Sequence, residues 1–179
     1  MIHKKEFYFI RHGQTDSNTS DNKIDHGDIS LNAIGRKQAQ AAESVIASLP
    51  IKSVCYSPLK RAKETKEAIS LQLHAMHYEI PELTECTMQI WKDMTAAGIN
   101  AYQSTYMHVK TFINRALNGI NQSLSKEGPV LIVAHGGIHW VICCLLNIPN
   151  HEWIIGNCLP VHFTVSETGR WTARKLRMT

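Results

Sequence analysis

"VLIVAHGGIHWVICCLLNI", residues 130–148, is the longest apolar tract of the chain. Its length would suit a membrane span. However, His135, the Gly136-Gly137 pair and His139 interrupt it. A buried strand, a glycine turn and a buried helix account for the order of residues better. A strand that is apolar on both faces belongs in a parallel sheet covered on both sides.

Working outward, the same alternation recurs. Residues 6–10 read as a short strand, apolar on both faces. Residues 14–30 are polar and turn-rich, so a long loop is expected there. Asn32 can cap a helix to about Ser48, with Ile34, Ala42, Val45, Ile46 and Leu49 inward and Pro50 closing it. Residues 51–57 form a second strand, and Ser57-Pro58 offers a hydroxyl cap followed by proline for a helix to about Leu73. A third strand fits 75–80, and 83–98 reads as irregular.

From Asn100 to Ser123, Tyr102, Tyr106, Val109, Ile113, Ala116, Leu117, Ile120 and Leu124 follow a helical period. Gly128-Pro129 breaks the chain before the 130–135 strand. Residues 160–176 read as a terminal hairpin turning at Glu167–Gly169. The expected fold is α/β, a three-layer α/β/α sandwich with a mostly parallel central sheet, in a single domain spanning 1–179.

The totals are permissive. At 179 residues and 44% apolar content the chain can bury a core. The net charge of +4 comes from scattered Lys and Arg, which argues against a nucleic-acid partner. The five cysteines are odd in number and lack paired spacing, so they read as reduced thiols. The apolar stretch near Met1 is too short for a signal peptide. A cytoplasmic protein with no membrane partner is expected, and nothing in the pattern specifies an oligomeric state.

Ligands of such sheets bind beyond the carboxyl ends of the strands. The first strand ends at Arg11-His12-Gly13, the second leads into Ser57-Pro58-Leu59-Lys60-Arg61, and the 130–135 strand ends at His135-Gly136-Gly137. Two arginines and two histidines thus converge on one sheet edge. Guanidinium groups are bidentate donors for phosphate oxygens. A neutral imidazole is a nucleophile toward phosphorus. His135 and His139 also have metal-ligand spacing, but no glutamate follows His135, so no metal site is assigned.

Four segments resemble, in order, motifs of the histidine phosphatase superfamily, the phosphoglycerate mutase-like group. They are "RHGQTDSN" (11–18), "ISLNAIGRKQA" (29–39), "YSPLKRAKETKEAI" (56–69) and "VAHGG" (133–137). The resemblance implies that His12 is the nucleophile, forming a phosphohistidine. It implies that Arg11, Asn18, Arg61 and His135 bind the phosphoryl group, without metal or other cofactor. The segment "LTECTMQIWKD" (83–93) keeps the family's spacing between its carboxylate and tryptophan, implying Glu85 as proton donor, with Glu82 as the alternative. Gln89 stands where the family has glycine, and Lys92-Asp93 where it has Glu-Gly. His139 replaces an arginine common in the family and is read as a helix residue near the pocket.

The expected function is a phosphomonoesterase acting on a small phosphorylated substrate. A mutase would carry a longer basic segment after the acid, whereas residues 86–98 hold a single lysine. A mutase-type phosphotransferase, a non-catalytic phosphate-binding module on the same fold and a metal-dependent hydrolase are the competing readings.

Overall fold

The structure is a computed structural model that describes residues 1–18, 27–98, 106–149 and 155–177. Strand β4 (Val130–Ala134) is buried along its whole length, as its unbroken apolar sequence requires. On one side it pairs in parallel with β1 (Phe7–Arg11), Phe7 opposite Val130 and Arg11 opposite Ala134. On the other side it pairs in parallel with β2 (Ser53–Tyr56), which pairs in parallel with the edge strand β3 (Met76–Glu79). Strands β5 (Val161–Val165) and β6 (Trp171–Lys175) form the expected hairpin, with β5 antiparallel to β1. The order is β3-β2-β4-β1-β5-β6.

Side chains alternate across the sheet and feed two cores. Phe7 and Phe9 of β1 face the core made with α3 (Met88–Ala96), α4 (Met107–Leu124) and α5 (Gly136–Leu145). Tyr8 and Ile10 face the core made with α1 (Ala33–Ala47) and α2 (Lys60–Ile69). The result is a three-layer sandwich. Among the described residues, no helix is long and apolar enough to cross a membrane.

Several boundaries differ from the sequence reading. Residues 83–98 are not wholly irregular, because α3 lies within them. Thr87 Oγ1 accepts from Ile90 N at 3.4 Å, and Met94 is buried while Ile90 and Trp91 lean on the core. That period is real but covers little more than two turns. Helix α2 starts at Lys60, and Ser57 does not cap it. Ile34 is 54% exposed, because the buried face of α1 is Gly35, Ala39, Ala42 and Ile46. Tyr106 is exposed just before α4, and Tyr102 lies outside the described residues.

Helix α1 is locked onto the loop that follows β1. Asn32 caps it by accepting from Gly35 N at 2.8 Å, as expected. Asn32 N donates to Gln14 O at 3.0 Å and Gln14 N donates to Gln38 Oε1 at 2.9 Å. The backbones touch at two glycines. A Cβ on Gly13 would lie 2.5 Å from Gly35 O, and one on Gly35 would collide with the Gln14 backbone. Gly35→Ala is therefore expected to destabilise the fold by about 1–3 kcal/mol through overpacking. Urea unfolding measures this, and a midpoint equal to wild type would show that the two backbones separate freely.

Candidate active site

Because β1 and β4 are parallel and end in register, the residues after them emerge together. His12 N donates to Ala134 O at 3.0 Å, which extends the pairing by one residue. The rings of His12 and His135 then lie 5.2 Å apart at 55°. Both residues are buried.

The tautomer of His12 follows from its two partners. Its Nδ1 lies 2.7 Å from Gly13 O, which can only accept, so Nδ1 carries the hydrogen. Its Nε2 faces Arg61 Nε at 3.3 Å, which can only donate, so Nε2 presents a lone pair. Burial, then the charges of Arg11 and Arg61, hold the His12 pKa well below the usual imidazole value. The residue is neutral and its Nε2 lone pair faces Arg61.

The main chain around His12 is fixed from three directions. Asn157 Nδ2 donates to His12 O at 2.8 Å. Gly13 N donates to Thr65 Oγ1 at 3.0 Å, and Thr65 Oγ1 donates to Arg61 O at 2.7 Å. Cys158 N donates to Arg11 O at 3.0 Å. Thr65 and Asn157 therefore link the β1 end to α2 and to the segment before β5.

Ser57 serves the other histidine. Its Oγ lies 2.7 Å from His135 Nε2 and also accepts from Leu59 N at 3.4 Å. Ser57 Oγ keeps a second lone pair, so it either donates to His135 Nε2 or accepts from it, and Nδ1 of His135 takes the complementary state. That Nδ1 is buried without a hydrogen-bond partner, and so is Arg11 Nε. Burial, then His12, Arg61 and Arg11, press the His135 pKa well below normal. The buried Arg11 Nε donor is costly without an acceptor, and an anion at this edge would supply one, and would also accept from His135 Nδ1 in the tautomer that carries hydrogen there.

Glu85 reaches the same place from the loop before α3. Its carboxylate accepts from Gly137 N at 3.1 Å (Oε1) and 3.2 Å (Oε2), and Oε1 accepts from Cys86 N at 2.9 Å. The positive end of α5 favours a carboxylate there. Glu85 Oε2 and Arg11 Nε flank Gly136, at 3.8 and 3.9 Å from where its Cβ would be.

The structure thus gathers Arg11, His12, Arg61, His135 and Glu85 at one sheet edge. Asn18 is exposed, and its Oδ1 accepts from Thr15 N at 3.0 Å and Thr15 Oγ1 at 3.1 Å. Glu82 packs over Gly119 of α4. His139 is not a pocket residue as expected. It is fully buried in the core against Phe9 (5.2 Å), Phe163 (5.7 Å) and Cys143 Sγ (3.7 Å). No group of three or more metal-ligating side chains occurs among the described residues. Sequence reasoning missed the supports. Ser57 looked like a helix cap, Thr65 belonged to the 56–69 motif without an assigned role, and Asn157 and Arg115 carried no signal.

Residues 7–178 match the sequence profile of the histidine phosphatase superfamily, branch 1. The chain belongs to this superfamily. Within it, the chain is 32% identical over 140 residues to the uncharacterized phosphatase PhoE of Bacillus subtilis, covering 71% of this chain and 69% of that protein. It is 28% identical over 180 residues to agropine synthesis reductase of Rhizobium rhizogenes, covering 89% of this chain but 39% of that protein. The chain thus spans about two fifths of the length of that relative. The mycobacterial glucosyl-3-phosphoglycerate phosphatase solved with VO3 shares the fold, with a TM-score of 0.70, 22% identity and coverage of 97% and 99% of the two chains.

The depressed histidines of this superfamily member have a stability consequence. The folded state keeps His12 and His135 neutral, whereas the unfolded chain protonates them below about pH 6.5. The unfolded state then binds more protons, so stability falls as pH drops from about 6.5 toward the folded values. The urea midpoint is expected to fall between about pH 7.5 and about pH 5.5, by less in His135→Gln than in wild type. Equal falls in both proteins would mean that His135 is not the group responsible.

Proposed function

We propose that this chain is a metal-independent phosphomonoesterase, a single catalytic domain over 1–179, acting on a small phosphorylated substrate through a phosphohistidine on His12. The observation that carries the reading is the His12 Nε2 lone pair, fixed by Gly13 O and Arg61, at the edge that holds the unpartnered Nε of Arg11 and Nδ1 of His135.

In the first half-reaction His12 Nε2 attacks phosphorus. The bond from phosphorus to the leaving oxygen breaks, and Glu85 supplies the proton that oxygen needs. Arg11, Arg61 and His135 Nδ1–H hold the equatorial oxygens, so cationic side chains and an N–H take the role a metal has elsewhere. Asn18 adds its amide N–H groups, its Oδ1 being turned to Thr15. In the second half-reaction water attacks phosphorus, Glu85 takes its proton, and the phosphorus–nitrogen bond breaks. Inorganic phosphate leaves and His12 regains its Nε2 lone pair.

Named phosphatases among the relatives support hydrolysis. The single lysine of residues 86–98, Lys92, favours a phosphatase over a mutase-type phosphotransferase. Five unpaired cysteines, four of them buried, support a cytoplasmic setting.

Release of p-nitrophenol from p-nitrophenyl phosphate, with chelator present, tests the proposal. Wild type is expected to turn over, and His12→Ala to lose at least about 10³-fold in kcat. Equal turnover by both proteins would remove His12 as nucleophile. Loss of wild-type turnover on adding chelator would point instead to a metal-dependent reaction.

A further inference from the structure

Arg115 of α4 spends its guanidinium on main-chain carbonyls of the loop that carries Glu85. Nη1 donates to Glu82 O at 3.0 Å, and Nη2 donates to Thr84 O at 2.7 Å and Glu85 O at 3.4 Å. Glu82 lies within the 3-10 turn Pro81–Leu83 and Thr84 and Glu85 follow it, so these carbonyls have no strand ladder to enter. A rigid fork with five N–H donors is the side chain that can hold several at once. Phe112, one turn before Arg115, supports the guanidinium on its ring face at 5.1 Å.

A second contact, independent of charge, makes the same connection. Gly119 lies one turn after Arg115, on the same side of α4. A Cβ there would lie 2.8 Å from Glu82 Cβ and 3.2 Å from Leu83 Cδ2. The loop therefore rests directly on the helix, with Arg115 gripping its far end. Burial of Ala116, Ile120 and Leu124 fixes α4 against the sheet that also carries His12 and His135.

We propose that Arg115 is the positioning residue for Glu85. By gripping the carbonyls of Glu82, Thr84 and Glu85, it registers the Glu85 carboxylate to the His12–His135 pair. The inference rests on Glu85 being the proton donor. A general acid must lie within hydrogen-bond reach of the leaving oxygen, and a displacement of about 1 Å can cost about 10²-fold in rate. Gly137 N and Cys86 N hold the carboxylate end of Glu85, and Arg115 holds the main-chain end.

The test uses two substrates that differ in their need for a proton. The phenolate of 2,4-dinitrophenyl phosphate leaves unaided, whereas that of phenyl phosphate needs the acid. Because kcat/KM reports only steps up to the first irreversible one, it isolates leaving-group departure. For phenyl phosphate, kcat/KM is expected to fall about 10²-fold in Glu85→Gln and about 10–100-fold in Arg115→Met, with 2,4-dinitrophenyl phosphate falling no more than about threefold in either. Arg115→Lys, which keeps the charge but not the fork, should lie between Arg115→Met and wild type. The double variant should lose no more than Glu85→Gln alone, because both changes remove one function.

Equal losses on both substrates in Arg115→Met would overturn the inference and leave Arg115 as a structural residue. So would multiplicative losses in the double variant. A Glu85→Gln enzyme with no leaving-group dependence would overturn the assignment of Glu85 itself, and the positioning role with it.

Discussion

The parallel pairing of β1 with β4 is the constraint on which the site depends. Arg11 stands opposite Ala134, and His12 N reaches back to Ala134 O. The two chains therefore leave the sheet as neighbours. A slip of one residue would turn Phe7 and Phe9 into the other core and send Tyr8 and Ile10 the opposite way. The packing of alternate β1 side chains into two separate cores thus fixes the placement of two imidazoles. The antiparallel neighbour β5 holds the other flank of β1 from Phe7 to Phe9, and Asn157 and Cys158 continue that support to His12 and Arg11.

Electrostatics work with this geometry. Desolvation is the first cause of the lowered pKa at both histidines, and arginine charge adds to it. The arginine charge that adds to this effect also favours an anion beside the histidines. Glu85, gathered at that edge, accepts from Gly137 N at the head of α5 and from Cys86 N of its own loop, with the Arg11 guanidinium nearby. Half-buried charges of both signs thus meet beside His12 and His135.

Much of this was legible in the sequence because strand ends are local features. Apolar runs that stop at Arg11-His12 and His135-Gly136 announce both a strand and what it delivers. The α3 helix was missed because Ile90, Trp91 and Met94 mark only a short period, and its cap, Thr87, lies in an otherwise polar stretch. Ser57 was given the wrong task for a physical reason. A serine before proline has the same composition whether its hydroxyl faces a helix start or an imidazole, and only the β2–β4 pairing puts His135 within 2.7 Å. His139 was placed near the pocket because it stands where the family commonly has an arginine, but its side chain packs against Phe9 and Phe163. Arg115 was illegible because all three of its acceptors are main-chain carbonyls about thirty residues away, invisible to any side-chain pattern.

The central position of β1 also bears on synthesis. This strand precedes every other element, yet both of its neighbours are encoded much later, β4 beginning at Val130 and β5 at Val161. A ribosome making the chain exposes the apolar segment Phe7–Ile10 long before either partner has emerged. Domains fold as units during translation, and unpaired apolar strands are what bind chaperones or one another. For this topology the vulnerable interval is set by the distance between the first strand and the fourth. His12, carried at the end of that strand, is translated long before His135 and Asn157, the residues that complete its surroundings.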